Sequence, residues 1–358
     1  MSNSFGKKFS FSTFGESHGK AIGCVVDGIP AGLKIDVEYI QKELDRRKPG
    51  QNKFATQRTE GDEVEILSGV FEGYSTGTPI ALIIYNKNQK SKDYTNIKDI
   101  FRPGHADFTY FHKYGIRDYR GGGRSSARET ASRVAAGAIA KIMLDELGIH
   151  VKSGIYSVAG IDAQNYDFDR VKDSEIYALD ESVEDAQKEA ILKAKNSHDS
   201  VGGVAFVKIQ NAPVGLGEPL YYKLDAILAE AMMGINGVKA IEIGEGFNAS
   251  ILNGSVNNDL IKKEGFVSNH SGGILGGISN GDDIDLKVYF KPTPSIFIAQ
   301  DTVDINNEEH NCALKGRHDP CIAVRGTVVA EAMAALVIAD MILLGMSSRM
   351  ENVKKVFS

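Results

Sequence analysis

The sequence predicts an α+β fold. Strand-like and helix-like segments follow one another in mixed order, without the steady strand–helix–strand beat of a doubly wound sheet. Two long alanine-rich apolar patterns, near 126–147 and 327–344, have the character of buried helices. The chain has 358 residues, 42% hydrophobic and 25% charged, which is ordinary for a globular protein and ample for a full core. Residues 1–358 are expected to form one domain.

Segments 64–70, 80–85, 204–210 and 284–290 are β-rich or alternate apolar with polar residues, as half-buried strands do. Asp36 stands at the cap of a helix expected to run to Arg47, ahead of Pro49. Ser126 and Glu129 have capping-box spacing. They precede an apolar face of Val134, Ala135, Ala138, Ile139, Ile142, Met143 and Leu147, with Gly148 as the stop. Further helices are expected over 224–233 and 327–344. Both long helices follow Gly-Arg loops, GGGRSSARE and KGRHDPC, which suggests an internal pseudo-twofold repeat. Residues 160–200 hold eleven acidic and five basic side chains. They are expected to form an acidic surface excursion ending in an amphipathic helix near 182–195.

Several classes are disfavoured. Glu331 and Asp340 interrupt the longest apolar stretch, so no membrane span is expected. The first residues lack the apolar core of a signal peptide. Cys24, Cys312 and Cys321 are odd in number, which favours a reducing cytoplasm over a disulfide framework. A formal net charge of −6 argues against general nucleic-acid affinity.

Arginine placement is more informative. The chain has 28 lysines and 13 arginines, and eleven of the arginines fall in three windows. These are Arg46, Arg47 and Arg58; then Arg102, Arg117, Arg120, Arg124, Arg128 and Arg133; then Arg317 and Arg325. Guanidinium suits bidentate recognition of phosphate and carboxylate. The bland alternative is structural ion pairing. Clustering among glycines and histidines favours an anion site.

Familiar motifs fail. GESHGKA lacks the spacing and the terminal Ser/Thr of a phosphate-binding P-loop. GLGEPL lacks the third glycine of a dinucleotide fold. His310, Cys312, His318 and Cys321 crowd together but match no standard zinc spacing, and no metal is expected.

Three loops have the composition for chemistry. Phe14–Gly19 holds Ser17 and His18, residues 102–107 hold His105, and 316–321 hold Arg317, His318 and Asp319. Histidine is a good proton donor near neutral pH, and neighbouring arginines stabilise a departing phosphate. Ser125 and Ser126, beside Arg124 and Arg128, sit where a helix N-terminus would receive an anion. Loop histidines are often only structural, and Ser126 could be a plain cap.

FGESHG, DRRKPG, RPGHADFTYFHKYGIRDYRGGGRSSARETASRVAAGA, SNHSGGILGGISNG, KPTPS and GRHDPC occur in that order. They resemble the chorismate synthase family over nearly the whole chain. The resemblance implies a β-α-β sandwich of mixed or antiparallel sheets with central helices, assembled as a homotetramer. It implies conversion of 5-enolpyruvylshikimate 3-phosphate to chorismate by 1,4-anti elimination of phosphate, dependent on reduced FMN. NADPH or a separate flavin reductase would supply the electrons. By the same resemblance, His18 protonates the departing phosphate, His105 acts at the flavin, and Asp319 serves removal of the C6 proton. Ser17 and Ser126 resemble relay serines. Arg124, Ser125, Ser126, Asn236, Gly237, Gly276, Lys291, Pro292, Thr293, Pro294, Ser295 and Arg317 match flavin-contacting stretches. Arg47 and Lys53 match substrate or NADP contacts, with Lys53 where arginine is expected. A phosphate-binding protein without turnover and a metal-dependent phosphohydrolase remain the competing classes.

Overall fold

The computed structural model describes residues 3–50, 52–56, 61–87, 97–314 and 318–358. Two antiparallel five-stranded sheets enclose a helical layer. The first sheet contains β1 (Ser4–Phe5), β2 (Ser10–Gly15), β3 (Ala21–Asp27), β4 (Val64–Ile66) and β5 (Ile80–Tyr85), in the order β1-β2-β3-β5-β4. The second contains β6 (His150–Val158), β7 (Ile161–Asp162), β8 (Gly203–Gln210), β9 (Val238–Ile243) and β10 (Ile284–Phe290), in the order β9-β10-β8-β6-β7. Ile22, Cys24 and Val26 alternate inward on β3, and Ile284, Leu286, Val288 and Phe290 do so on β10. Each sheet therefore presents one apolar face to the layer between them.

The helices are α1 (Val37–Arg47), α2 (Asp107–Tyr114), α3 (Thr130–Asp145), α4 (Glu181–Asn196), α5 (Leu224–Met233), α6 (Gly254–Asn257), α7 (Ala323–Gly345) and α8 (Met350–Phe357). α3 packs on the first sheet, α7 packs on the second, and the two pack on each other. Small residues set that crossing. A Cβ at Gly137 would lie 2.5 Å from the Ala332 Cβ, so the helices approach closely only because Gly137 has none. α7 is long and apolar enough to cross a membrane by composition, but it is mostly buried here as the central helix. Its Glu331 and Asp340 are satisfied internally. Asp340 accepts the amides of Lys7, Lys8 and Phe9 at 3.0, 2.7 and 3.0 Å, tying the β1–β2 turn to α7. Glu331 joins Arg46, Glu43 and Lys141 in a buried ion network.

Several boundaries differ from expectation. Ser126 caps a short 3₁₀ turn over Ala127–Glu129, by accepting the Arg128 amide at 3.3 Å, and the α-helix proper begins at Thr130. Leu147 lies beyond its end and is exposed. α7 begins at Ala323, four residues ahead of the expected start. The 160–200 segment is less solvated than its charge implies. Leu179, Gln187 and Ile191 are buried, and α4 packs against β6 and β7.

Candidate active site

A cavity of about 850 Å³ opens where the β2–β3 turn, the loop before α2, the glycine loop before α3 and the start of α7 meet. Six arginines (Arg47, Arg102, Arg124, Arg128, Arg133 and Arg325) and Lys291 line it, against three carboxylates, Glu129, Glu230 and Asp319. The excess of cations over carboxylates in the lining suits an anion.

The glycine loop shapes the wall around His18. Gly121 has φ of +62°, and a Cβ there would lie 2.1 Å from His18 Cε1; any side chain would displace the ring. His18 is buried, and its Nδ1 lies 3.1 Å from Ser17 Oγ. Ser17 itself is behind the cavity wall, near the Gly121 carbonyl at 3.3 Å.

His105 sits in a turn locked by Asp107, which takes Arg102 Nε and Nη2 at 2.7 and 2.8 Å. Burial opposes the Asp107 charge, but Arg102 more than offsets it and holds the carboxyl below its ordinary range. Pro103 O, 2.9 Å from His105 Nδ1, can only accept, so Nδ1 carries a proton. Burial, then the charge of Arg102, lowers the ring to about 4. It is therefore neutral at pH 7, and its Nε2 accepts from Ser295 Oγ at 2.7 Å. An anion bound beside it would be needed to hold it protonated.

Asp319 is buried at the entrance to α7. Its Oδ1 accepts the Thr56 amide at 3.1 Å and its Oδ2 accepts from Arg325 Nη2. Arg47 is 2% exposed and reaches Asp62 at 3.0 Å, Thr130 Oγ1 at 3.2 Å and Ala127 O at 2.9 Å. Arg124 is held by neutral acceptors, with Nη2 on Thr13 O at 2.8 Å; among the described residues it has no carboxylate partner. Asn236 donates to Ser125 O at 2.9 Å, and Lys291 to Gly104 O at 2.8 Å. Asn236 Oδ1, Thr293 Oγ1, Arg128 Nη2 and Arg325 Nε are buried with no protein partner among the described residues.

Most of the sequence-derived residues thus meet here: His18, His105, Asp319, Arg47, Arg124, Ser125, Ser126, Asn236, Gly237 and 291–295. Gly276 and Lys53 do not line the cavity. Gly276 lies in the Leu275–Ile278 hairpin turn, whose Gly277 carbonyl instead accepts the Leu224 amide at the start of α5. The Lys53 ammonium lies over the Phe54 ring at 5.0 Å, and its carbonyl accepts from Lys195 on α4. Arg317 lies outside the described residues. Sequence reasoning gave no individual role to Arg102, Arg128, Arg325 or His318, although their windows had been singled out. Thr56 and Asp62 carried no sequence signal.

A sequence profile of chorismate synthases matches residues 9–343. The chain belongs to the chorismate synthase family. It is 71% identical over 355 residues to the chorismate synthase of Aliarcobacter butzleri, covering 99% of each chain. It is 60% identical to that of Helicobacter hepaticus, again over 99% of each. A crystal structure of a chorismate synthase superposes with TM-score 0.77 at 33% identity, covering 99% of this chain and 97% of that one. The family's activity is that of a lyase at the last step of the shikimate pathway.

Proposed function

We propose that this chain converts 5-enolpyruvylshikimate 3-phosphate to chorismate and phosphate by 1,4-anti elimination, dependent on reduced FMN. The observation that carries this is the convergence of His18, His105 and Asp319 on one arginine-lined cavity. The cavity also suits a flavin. Its volume is near the top of the range for ligand pockets, about 300–1,000 Å³, and Asn236 Oδ1 and Thr293 Oγ1 have no partner among the described residues in its walls. Arg124, Ser125, Ser126, Asn236, Gly237 and Lys291–Ser295 would hold it. When bound, reduced flavin supplies electron density to the reacting carbon framework.

The chain's own groups do the rest. His18, steadied through Nδ1 by Ser17, gives a proton to the phosphate oxygen as the C–O bond breaks. Arg47 and its neighbours hold the anions and stabilise the charge that develops on the leaving group. Asp319, with its oxygens oriented by Thr56 and Arg325, is placed to accept the C6 proton. The C6–H pair becomes the C1=C6 double bond, the C1=C2 pair shifts to C2=C3, and the C3–O pair leaves with the phosphate. Neutral His105 serves as a hydrogen-bonding group that becomes cationic beside an anion. Lys53 and Gly276 are given no role.

We also propose a homotetramer in the cytoplasm. Exposed Phe247, Ile251, Val256 and Ile261 offer an apolar contact surface, and all three cysteines are free and buried. The glycine loop ahead of α3 and His318 and Asp319 ahead of α7 all line the cavity, which supports a pseudo-twofold origin for the two helix entrances. Either NADPH or a separate reductase would reduce the flavin.

The test is an anaerobic assay with added reduced FMN and no metal. Chorismate formation supports the lyase. Phosphate release only with metal would instead identify a phosphohydrolase, and binding without turnover a phosphate-binding protein. A flavin absorption band perturbed only when oxidised FMN and substrate are both present would establish their shared site.

A further inference from the structure

Among the described residues, Asp62 is the one carboxylate that joins two cavity arginines. Its side chain is fully buried. Oδ2 accepts from Arg47 Nη1 at 3.0 Å, and Oδ1 accepts from Arg128 Nη1. Arg47 ends α1, whereas Arg128 lies in the turn before α3, so the carboxylate bridges two separate elements. Its backbone has φ of +47°, a conformation costly for a residue with a Cβ and kept only where surroundings over-determine it. Gln41 supplies that restraint. Its Nε2 donates to Asp62 O at 3.2 Å and its Oε1 accepts the Val64 amide at 3.1 Å. One side chain on α1 thus clips the loop on both sides of the strained residue.

The connections continue into the site. Arg128 Nε donates to Asn86 Oδ1 at 3.0 Å, and Asn86 Nδ2 donates to the carbonyls of Glu16 and Gly19 at 3.0 and 2.9 Å. Those carbonyls flank Ser17 and His18. Burial most of all, and then the charges of Arg325 and Arg128, disfavour the Arg47 charge; Asp62 offsets them in part, and the guanidinium is still lowered to about 10.

We infer that Asp62 is a positioning residue: it gathers Arg47 and Arg128 onto one wall of the cavity, so that substrate anions meet two aligned guanidiniums. This rests on the assignment of the cavity to a phosphate-bearing substrate. Asp62 touches neither substrate nor flavin in this role.

Asp62→Asn keeps size and one acceptor but removes the charge. Expected is a rise in KM of roughly 10–100-fold, the equivalent of one charge-assisted contact, with kcat changed less than about threefold. Inorganic phosphate should weaken in parallel as a competitive inhibitor, while FMN affinity stays within about twofold. Because burial of unpaired arginines could impair folding, Gln41→Ala is made alongside. It keeps the carboxylate but frees the loop, and should raise KM in the same direction by a smaller factor. Unchanged KM in folded Asp62→Asn overturns the inference. So does loss of kcat with KM unchanged, or, should that variant not fold, an unchanged KM in Gln41→Ala. The parent protein is the control for the underlying assignment. If inorganic phosphate does not compete with substrate there, the cavity assignment has failed; if it competes equally in parent and variant, only the role of Asp62 has.

Discussion

Arg46 and Arg47 are consecutive on α1, and their guanidiniums finish in opposite kinds of surroundings. Arg46 enters a closed network. It pairs with Glu43 at 2.9 Å and Glu331 at 2.7 Å, and Lys141 meets the same two carboxylates at 2.9 and 2.6 Å. Ser153 Oγ donates to Glu331 at 2.6 Å. Among the described residues, two cations balance two anions. Arg47 enters an open network. Asp62 serves it and Arg128 together, Arg325 is close by, and among the described residues Arg128 Nη2 and Arg325 Nε have no protein partner. Buried polar groups are nearly always paired, so unpartnered donors beside a cavity mark where a ligand belongs. Arginine content alone cannot separate ion pairing from anion binding; closure of the charge network can.

The comparison breaks most visibly at Glu331. Glu331→Ala leaves Arg46 and Lys141 to share Glu43, two cations on one carboxylate, and breaking a buried network typically costs about 3–5 kcal/mol. Urea denaturation should show that loss while turnover per folded molecule is nearly normal. Normal stability with lost turnover would move the network into the active site and erase the distinction. On the open side, His18→Ala and Asp319→Asn should do the reverse. General acid–base groups contribute roughly 10²–10⁴-fold, so turnover should fall by at least about 10²-fold with folding retained. For Asp319→Asn, a larger isotope effect from deuterium at C6 is expected, because an amide still accepts the Thr56 amide but cannot take a proton. Normal turnover per bound site would leave Asp319 as the partner of Arg325 and nothing more.

Legibility in the sequence follows the same division. Elements with a clear local signal were readable: α1 from its Asp36 cap and the stop before Pro49, α3 from its capping-box spacing and apolar face, Ile80–Tyr85 and Ile284–Phe290 from composition or alternation. β6 was not, because HVKSGIYSV places Ser153, Gly154 and Ser157 where an apolar run would be expected; Ser153 earns its burial by bonding Glu331. α2 has only eight residues and follows a turn read as a motif. The cavity was legible where a loop carries its own chemistry, as at His18, His105 and Asp319. Asp62 was illegible because its role is acquired only when α1 and the turn before α3 fold against its loop. No local pattern encodes two partners 15 and 66 residues away.

A smaller effect sharpens the open side. Arg124 is held by Thr13 O and Gly15 O, at 2.8 and 3.5 Å. Arg124→Ala should weaken flavin or substrate binding by roughly 1.5–3 kcal/mol, the worth of a charge-assisted contact. Titration calorimetry on the folded variant checks this. A large fall in melting temperature with unchanged binding would make Arg124 structural like Arg46.

The gentlest probe is pH. Burial is the main cause holding both His105 and His318 at about 4, and Arg102 pushes both the same way. In the unfolded chain each titrates near 6.5. Between those values the unfolded chain binds more protons, so stability rises with pH across that window. The stability in question is complete above about 6.5 and is lost as pH falls toward 4. The urea midpoint should therefore drop from pH 7 to pH 5, and His105→Gln should flatten part of that slope. Ligand reverses the sign. An anion beside the rings favours their protonated forms, so its binding should take up protons and tighten as pH falls. Sulfate, a dianion throughout this range, isolates the effect from titration of the ligand itself. Calorimetry at pH 5.5 in two buffers of different ionisation enthalpy would reveal the uptake. Proton release on sulfate binding would place the anion away from His105 and His318, and the open network would then end at the arginines alone.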